Sequence, residues 1–182
     1  MTQELLGSAL RAGTWTIDPS HSAVGFSVRH LMSKVRGSFT EFSGEIVTTE
    51  DPAESRVNVR ISTASITTNN AQRDGHLRST DFFDADAGQE LVFVSTGIRE
   101  SADGYVISGD LTINGTTKAV ELETEFLGVD VDAYGATRLG AEATTSISRK
   151  DYGVDFNVPL EGGKLLIGDK IDITLAIEAV LS

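Results

Sequence analysis

Apolar and polar residues alternate with period two along most of this chain. In 55–62, Val57, Val59 and Ile61 fall on one parity and Asn58 and Arg60 on the other. In 117–128, Val120, Leu122, Thr124 and Phe126 oppose Glu121, Glu123 and Glu125. In 165–180, Ile171, Ile173, Leu175 and Ile177 oppose Asp172, Thr174, Ala176 and Glu178. Successive side chains of a strand lie on opposite faces, so the alternation predicts antiparallel strands with one buried and one wet face. Similar patterning predicts strands over 14–18, 22–30, 35–48, 90–98, 104–113 and 135–148. Asn114-Gly115 between two of these predicts a type I′ hairpin turn, which needs positive φ at both positions. Asp103-Gly104 and Gly162-Gly163 punctuate the chain likewise.

Two stretches lose the pattern. Residues 69–83 follow a Thr/Asn capping cluster, which predicts a short helix over about 70–78 ending in a loop at Asp81. Residues 2–11, in an N-terminal arm of 1–12, fit a short helix or a frayed end equally. The fold class that follows is all-β. Eight or nine two-faced strands form a closed barrel or a sandwich, and their length favours a tall closed barrel. An eight-stranded barrel is filled by side chains or holds one small ligand.

The 182 residues make one domain, 1–182, with a sizeable core. A balance of 15 basic against 27 acidic residues argues against nucleic acid, or an anionic membrane surface, as the main partner. Cysteine is absent, which removes disulfides, thiolate metal sites and a cysteine nucleophile. The N-terminus has no basic segment before an apolar run, so the expected compartment is the cytoplasm. No apolar run approaches the ~18 residues of a spanning helix, so no integral membrane segment is expected.

Catalytic motifs are missing. The GFSVR at 25–29 lacks the second glycine of a nucleophile elbow. Lys164 is followed by Leu165, which rules out a phosphate-binding Walker loop. DVDAYG at 130–135 places Tyr134 where a calcium loop needs oxygen. His21, His30 and His76 match no zinc spacing, and His21 and His30 have opposite parity, so no metal is expected.

The candidate binding residues lie on the inner parity: Val24, Phe26, Val28, Phe39, Phe42, Phe93 and Phe126, with His30 ending the same face. Arg73 and His76 are three apart on one helical face, either tethering the helix or facing a ligand. No carboxylate occurs from Pro19 to Thr40. Arg29, Lys34 and Arg36 in that window are the first candidates for an anionic head group, and Arg73 with Arg78 the second.

WTIDPSHSAVGFSVRH, GSFTEFSGEI, SITTNNAQRDGHLRSTDFFD, GDLTINGTTKAV and ISRKDYG, in that order, resemble the successive blocks of the YceI-like family of lipocalin-like, polyisoprenoid-binding proteins. The resemblance runs from about Trp15 to Ala179. It implies a lipocalin-like barrel around an apolar tunnel and a polyprenyl phosphate or isoprenoid quinone as ligand. It also implies a homodimer, and no cofactor beyond the bound lipid. Many members are exported, a point at which this N-terminus departs. The function so implied is non-catalytic binding, transport or storage of an isoprenoid lipid. The alternative is a barrel enzyme acting on a small apolar substrate, with His30 or His76 as general base.

Overall fold

A computed structural model of the chain describes residues 11–85 and 90–182. Its strands are β1 (Gly13–Ile17), β2 (Ala23–His30), β3 (Ser33–Phe39), β4 (Phe42–Thr48), β5 (Arg56–Ser62) and β6 (Ile66–Thr67). They continue with β7 (Glu90–Ser101), β8 (Gly104–Ile113), β9 (Thr116–Val131), β10 (Thr137–Ser148) and β11 (Ile167–Leu181). The one α-helix among the described residues is α1 (Ala71–Leu77).

The sheet runs in the order β1-β4-β5-β7-β8-β9-β10-β11 and closes through a β1–β11 pairing, so eight strands ring one interior. β2, β3 and β6 prolong three of these. β1 pairs with β11 at Trp15↔Leu181, and β2 takes over the same edge from Ala23↔Ala176 to Val28↔Ile171. β3 leads into β4, and β6 follows β5, with Phe39↔Ile66 continuing the ladder of Phe42↔Ile61. The architecture is the closed antiparallel barrel that the alternation and the resemblance predict.

One predicted strand is corrected: 35–48 breaks at Thr40–Glu41 into β3 and β4. The breaks in three neighbouring strands line up there. They are the 3-10 turn Pro19–His21, the step at Thr40–Glu41 and the 3-10 turn Thr63–Ser65. Across this line the N–H of Thr40 meets the carbonyl and hydroxyl of Ser65, and the Ser62 N–H donates to the Glu41 carbonyl at 2.9 Å. A closed sheet must curve, and this corner concentrates the curvature. The inward parity reverses at this corner, from Val35 and Phe39 in β3 to Phe42 and Ile46 in β4, a three-residue step that a single strand over 35–48 cannot make.

The predicted helix forms within a residue of its expected ends, as 71–77. The Asn114-Gly115 turn forms with φ of 51° and 76°. The predicted N-terminal helix or arm lies, up to residue 10, outside the described residues.

The two ends of the barrel differ. At the base, Trp15 is fully buried with Ile17, Leu139 and Ala179, and its indole N–H donates to Thr48 Oγ1 at 2.9 Å. Arg138 clamps this end. Its guanidinium reaches Asp132 at 2.6 Å, Asp18 at 2.8 Å and Glu178 at 3.0 Å. The Ser20 hydroxyl, Arg138 and His21 together hold the Asp18 carboxyl well below the usual carboxylate range.

At the other end the wall is incomplete. The β9–β10 ladder runs from Val131↔Thr137 only to Glu123↔Thr144. Beyond it, the first residues of β9 pair with β8 alone and the last of β10 with β11 alone.

Inside, glycines make room for rings. A Cβ on Gly37 would overlap Phe26 Cζ and lie 2.9 Å from the Thr67 carbonyl. Gly37→Ala therefore costs about 1–3 kcal/mol of unfolding free energy by overpacking. Gly97→Ala, where a new Cβ meets nothing within 4 Å, is the control in urea denaturation, with a loss of no more than about 1 kcal/mol expected.

Candidate functional site: an apolar cavity

The ring encloses a cavity of about 410 Å³. That lies within the roughly 300–1,000 Å³ common for small-molecule sites. Its wall is almost wholly hydrocarbon. Val24, Phe26, Val28, Val35, Phe39, Ile61, Phe93, Leu111, Leu122 and Ile173 represent the contributing strands. The charged or basic side chains among the lining residues are few, and His30, Arg73, His76 and Arg149 lie at the mouth. Inward parity on strands all round the ring produces this wall, because each inner position meets the interior and never solvent.

Two chain segments cover the mouth. The first is 67–85, which carries α1. Asn70 caps the helix by accepting from the Arg73 N–H at 3.0 Å. Asp74 is 6% exposed, and its Oδ1 accepts from the Thr68 N–H at 2.8 Å and the Thr68 hydroxyl at 2.5 Å. Burial pushes the Asp74 carboxyl up. The Thr68 bonds and the charges of Arg78 and Arg73 outweigh it and leave the pKa below the ordinary 3.8. Arg73 donates to Thr68 Oγ1 and to the Thr68 carbonyl at 2.7 and 3.0 Å. Arg78 donates to the carbonyls of Ala64 and Ile66 at 3.0 and 3.2 Å. The Asn114 amide donates to the Phe82 carbonyl at 2.7 Å, so the hairpin turn also anchors this segment.

The second cover is 149–166. Arg149 is 5% exposed and organises it. Its guanidinium donates to the carbonyls of Val154 and Phe156, both at 2.8 Å, and of Gly168 at 2.9 Å. Burial lowers its pKa, and Asp169 and Asp155 oppose that shift. Tyr152 and Val154 enter the core, and the turn Arg149–Tyr152 packs against β9, whose first residues pair with β8 alone. The covers meet through rings. His76 packs edge-on against Phe156 at 4.9 Å and Phe82 at 5.1 Å, and its Nε2 lies 2.8 Å from Asp81. His76 is 45% exposed along its side chain and Val158 is 40% exposed; both also line the cavity, so the cavity reaches the surface between the covers.

The candidate residues divide. Val24, Phe26, Val28, His30, Phe39, Phe93, Arg73 and His76 line the cavity. Phe42 and Phe126 do not: Phe42 belongs to the buried core, and Phe126 packs against it. Both face inward as expected, and their cross-strand partners Ile61 and Ala141 do line the cavity. Arg29, Lys34 and Arg36 are corrected as cavity-facing head-group candidates. All three are exposed on the outer face of the β2–β3 hairpin, because Val28, His30 and Val35 take the inner parity. Arg78 does not line the cavity either, since backbone carbonyls engage its guanidinium. His21 pairs with Asp18 at the base, away from His30 and His76. Among the described residues no group of three His, Cys, Asp or Glu side chains could hold a metal.

Arg149, Tyr152, Phe82, Phe83 and Phe156 were not legible as cavity wall. They lie in segments without period two. Their only local signal is an arginine and aromatics inside polar loops.

These features define a class: an eight-stranded lipocalin-like barrel with a packed base, an apolar cavity and a covered mouth. The chain belongs to the YceI-like domain family, which matches residues 15–179. The UPF0312 protein plu2095 of Photorhabdus laumondii is 39% identical over 180 residues, covering 97% of this chain and 91% of that protein. BcnA of Burkholderia cenocepacia shares the fold at a TM-score of 0.73 and 21% identity, over 89% of this chain and 98% of that one. A polyisoprenoid-binding domain from Saccharophagus degradans superposes at a TM-score of 0.68 and 15% identity, over 94% of this chain and all of that one.

Arg149→Met leaves three or more inward carbonyls without their donor. We expect a loss of at least about 2 kcal/mol and faster hydrogen exchange across 149–168, with the base unchanged. Asp74→Asn tests the other cover. The folded pKa of Asp74 lies below 3.8, so its charge stabilises the fold above that pH, and the contribution fades as pH falls through the folded pKa. Urea denaturation should show the variant less stable than the parent at neutral pH, with the difference shrinking under acid.

Proposed function

We propose that the protein holds the apolar chain of an isoprenoid lipid in this cavity, as a carrier or store and not as a catalyst. The observation that supports this reading is the hydrocarbon wall around about 410 Å³, with basic side chains only toward the mouth. Each buried CH₂ contributes about 0.8 kcal/mol, so a few isoprene units suffice for micromolar affinity. The Saccharophagus neighbour, described as a polyisoprenoid-binding domain, supports the ligand class. A polyprenyl phosphate or isoprenoid quinone would leave its polar head beside His30, Arg73 and His76.

Native mass spectrometry of freshly purified protein tests the reading, and a bound isoprenoid is the expected result. Phe26→Asp places a carboxylate in the apolar wall at a cost of several kcal/mol and should abolish retention, whereas Phe26→Leu should keep it. Equal retention by both variants contradicts the proposal.

One observation favours a second reading: His76 stands in the cavity wall with Asp81 on its ring. A barrel enzyme would use that pair as a general base. Lipid recovered chemically unchanged, with equal retention by His76→Gln, favours the carrier.

A further inference from the structure

We propose that the tip and outer face of the β2–β3 hairpin, with the adjoining hairpin of 158–165, dock the cavity mouth onto an anionic lipid bilayer. This deepens the lipid-holding reading and rests on it for its purpose; the docking is measured independently.

The first observation is the tip itself. His30↔Ser33 closes the ladder, leaving Leu31-Met32 as a two-residue turn. Leu31 takes φ of 58°, where glycine or asparagine is favoured. Leu31 is 50% exposed and Met32 93%. A strained turn built from two large apolar residues in water contradicts local turn chemistry, and such conflicts concentrate at functional positions.

The tip has a neighbour of the same kind. The Leu31 N–H donates to the Leu166 carbonyl at 2.8 Å, and the Leu166 N–H donates to the Val158 carbonyl at 3.1 Å. Val158 is 40% exposed and Leu165 48%. Four of the eight large exposed hydrophobics of the described residues thus gather on one rim. Val158 and Leu166 also line the cavity, so the apolar rim is continuous with its mouth.

Charge selects the occupant. Arg29 and Lys34 sit directly opposite one another across the ladder, and Arg36 lies two residues further on the same face. None of the three has an ion pair within 4 Å among the described residues; Lys34 acts on Asp172 only at longer range, helping to lower its pKa. Like charges directly opposed on a strand pair are unfavourable, and an anionic surface relieves them. Lys164 adds a cation on the second hairpin and Glu161 an acid. The other exposed apolar group, Val131 and Tyr134 at the base, lies among Asp130 and Asp132, the wrong sign for an anionic bilayer. The net charge of −12 repels such a bilayer at long range. With a Debye length of about 8 Å, the local cations dominate at contact. Met32 and its neighbours then enter the acyl boundary, as apolar tips flanked by basic residues do.

The experiment is flotation of the full chain with phosphatidylcholine vesicles, with and without phosphatidylglycerol. We expect recovery about tenfold higher on the anionic vesicles and falling with salt. Leu31→Asn with Met32→Ser should lower it about tenfold without lowering the thermal midpoint, because asparagine accepts the positive φ. Arg29→Glu with Lys34→Glu should abolish the preference for phosphatidylglycerol. Val131→Ser with Tyr134→Ser is the control and should bind as the parent does. The proposal is overturned if no vesicle retains the protein, if the control loses as much as the tip variant, or if both test variants bind like the parent. It is also overturned if light scattering without lipid shows a dimer that the tip variant dissolves, since a second copy then covers the rim. Lipid content of the tip variant by native mass spectrometry separates the two readings: docking lost with cavity lipid kept leaves the carrier intact.

Discussion

β11 is bonded to β10 along one edge, and along the other to β1 and then β2. This double seam closes the sheet, and the rest of the molecule depends on it. Closure leaves every strand with one inner and one outer face, so period-two sequences become an apolar lumen beneath a polar skin. It also makes the corner necessary. β1 and β2 share one edge of β11 only because the chain steps across a 3-10 turn between them, and β3–β4 and β5–β6 repeat that step. Trp15 and Arg138 then fix the base, one by burial and one by charge. The opposite end is left for binding.

The covers answer a different demand. Loops over an apolar cavity bring backbone carbonyls where water is scarce, and each needs a donor. Arg149 supplies several from one side chain, and Arg73 and Arg78 do the equivalent around α1, where Asp74 in turn accepts from the Thr68 N–H. The bonds of Arg149 and Arg78 hold protein groups in place, so these charged groups at the mouth are structural before they are anything else. His30, His76 and the free side of Arg73 remain to face a ligand.

The barrel was legible because its signal is repeated. Val57/Val59/Ile61 and Ile171/Ile173/Leu175 each report a face, and Asn114-Gly115 fixes a hairpin without tertiary help. The corner at Thr40–Glu41 was not, although Phe39 and Phe42 mark it: they are three apart, and only a break in the strand lets both face inside. Parity placed Phe126 inside, and Phe42 faces inside only because the corner reverses parity; parity alone does not say which inward side chains reach the cavity surface. The acid-free window from Pro19 to Thr40 drew attention to Arg29, Lys34 and Arg36; their own parity puts them outside. Arg149 and Phe156 escaped because loop residues acquire roles only from what the fold brings to them.

The parting of β9 from β10 beyond Glu123↔Thr144 bears on how the cavity empties and fills. In a fully laddered barrel, widening the wall breaks strand pairing and draws on the stability of the whole molecule. Here the gap already exists and is stoppered by Tyr152 and its turn, with Arg149 as the fastening. Withdrawing that stopper breaks the bonds of one loop and leaves every ladder intact. Opening there draws on the bonds of one buried loop and not on the pairing of the sheet, so shell and port are held by separate sets of interactions.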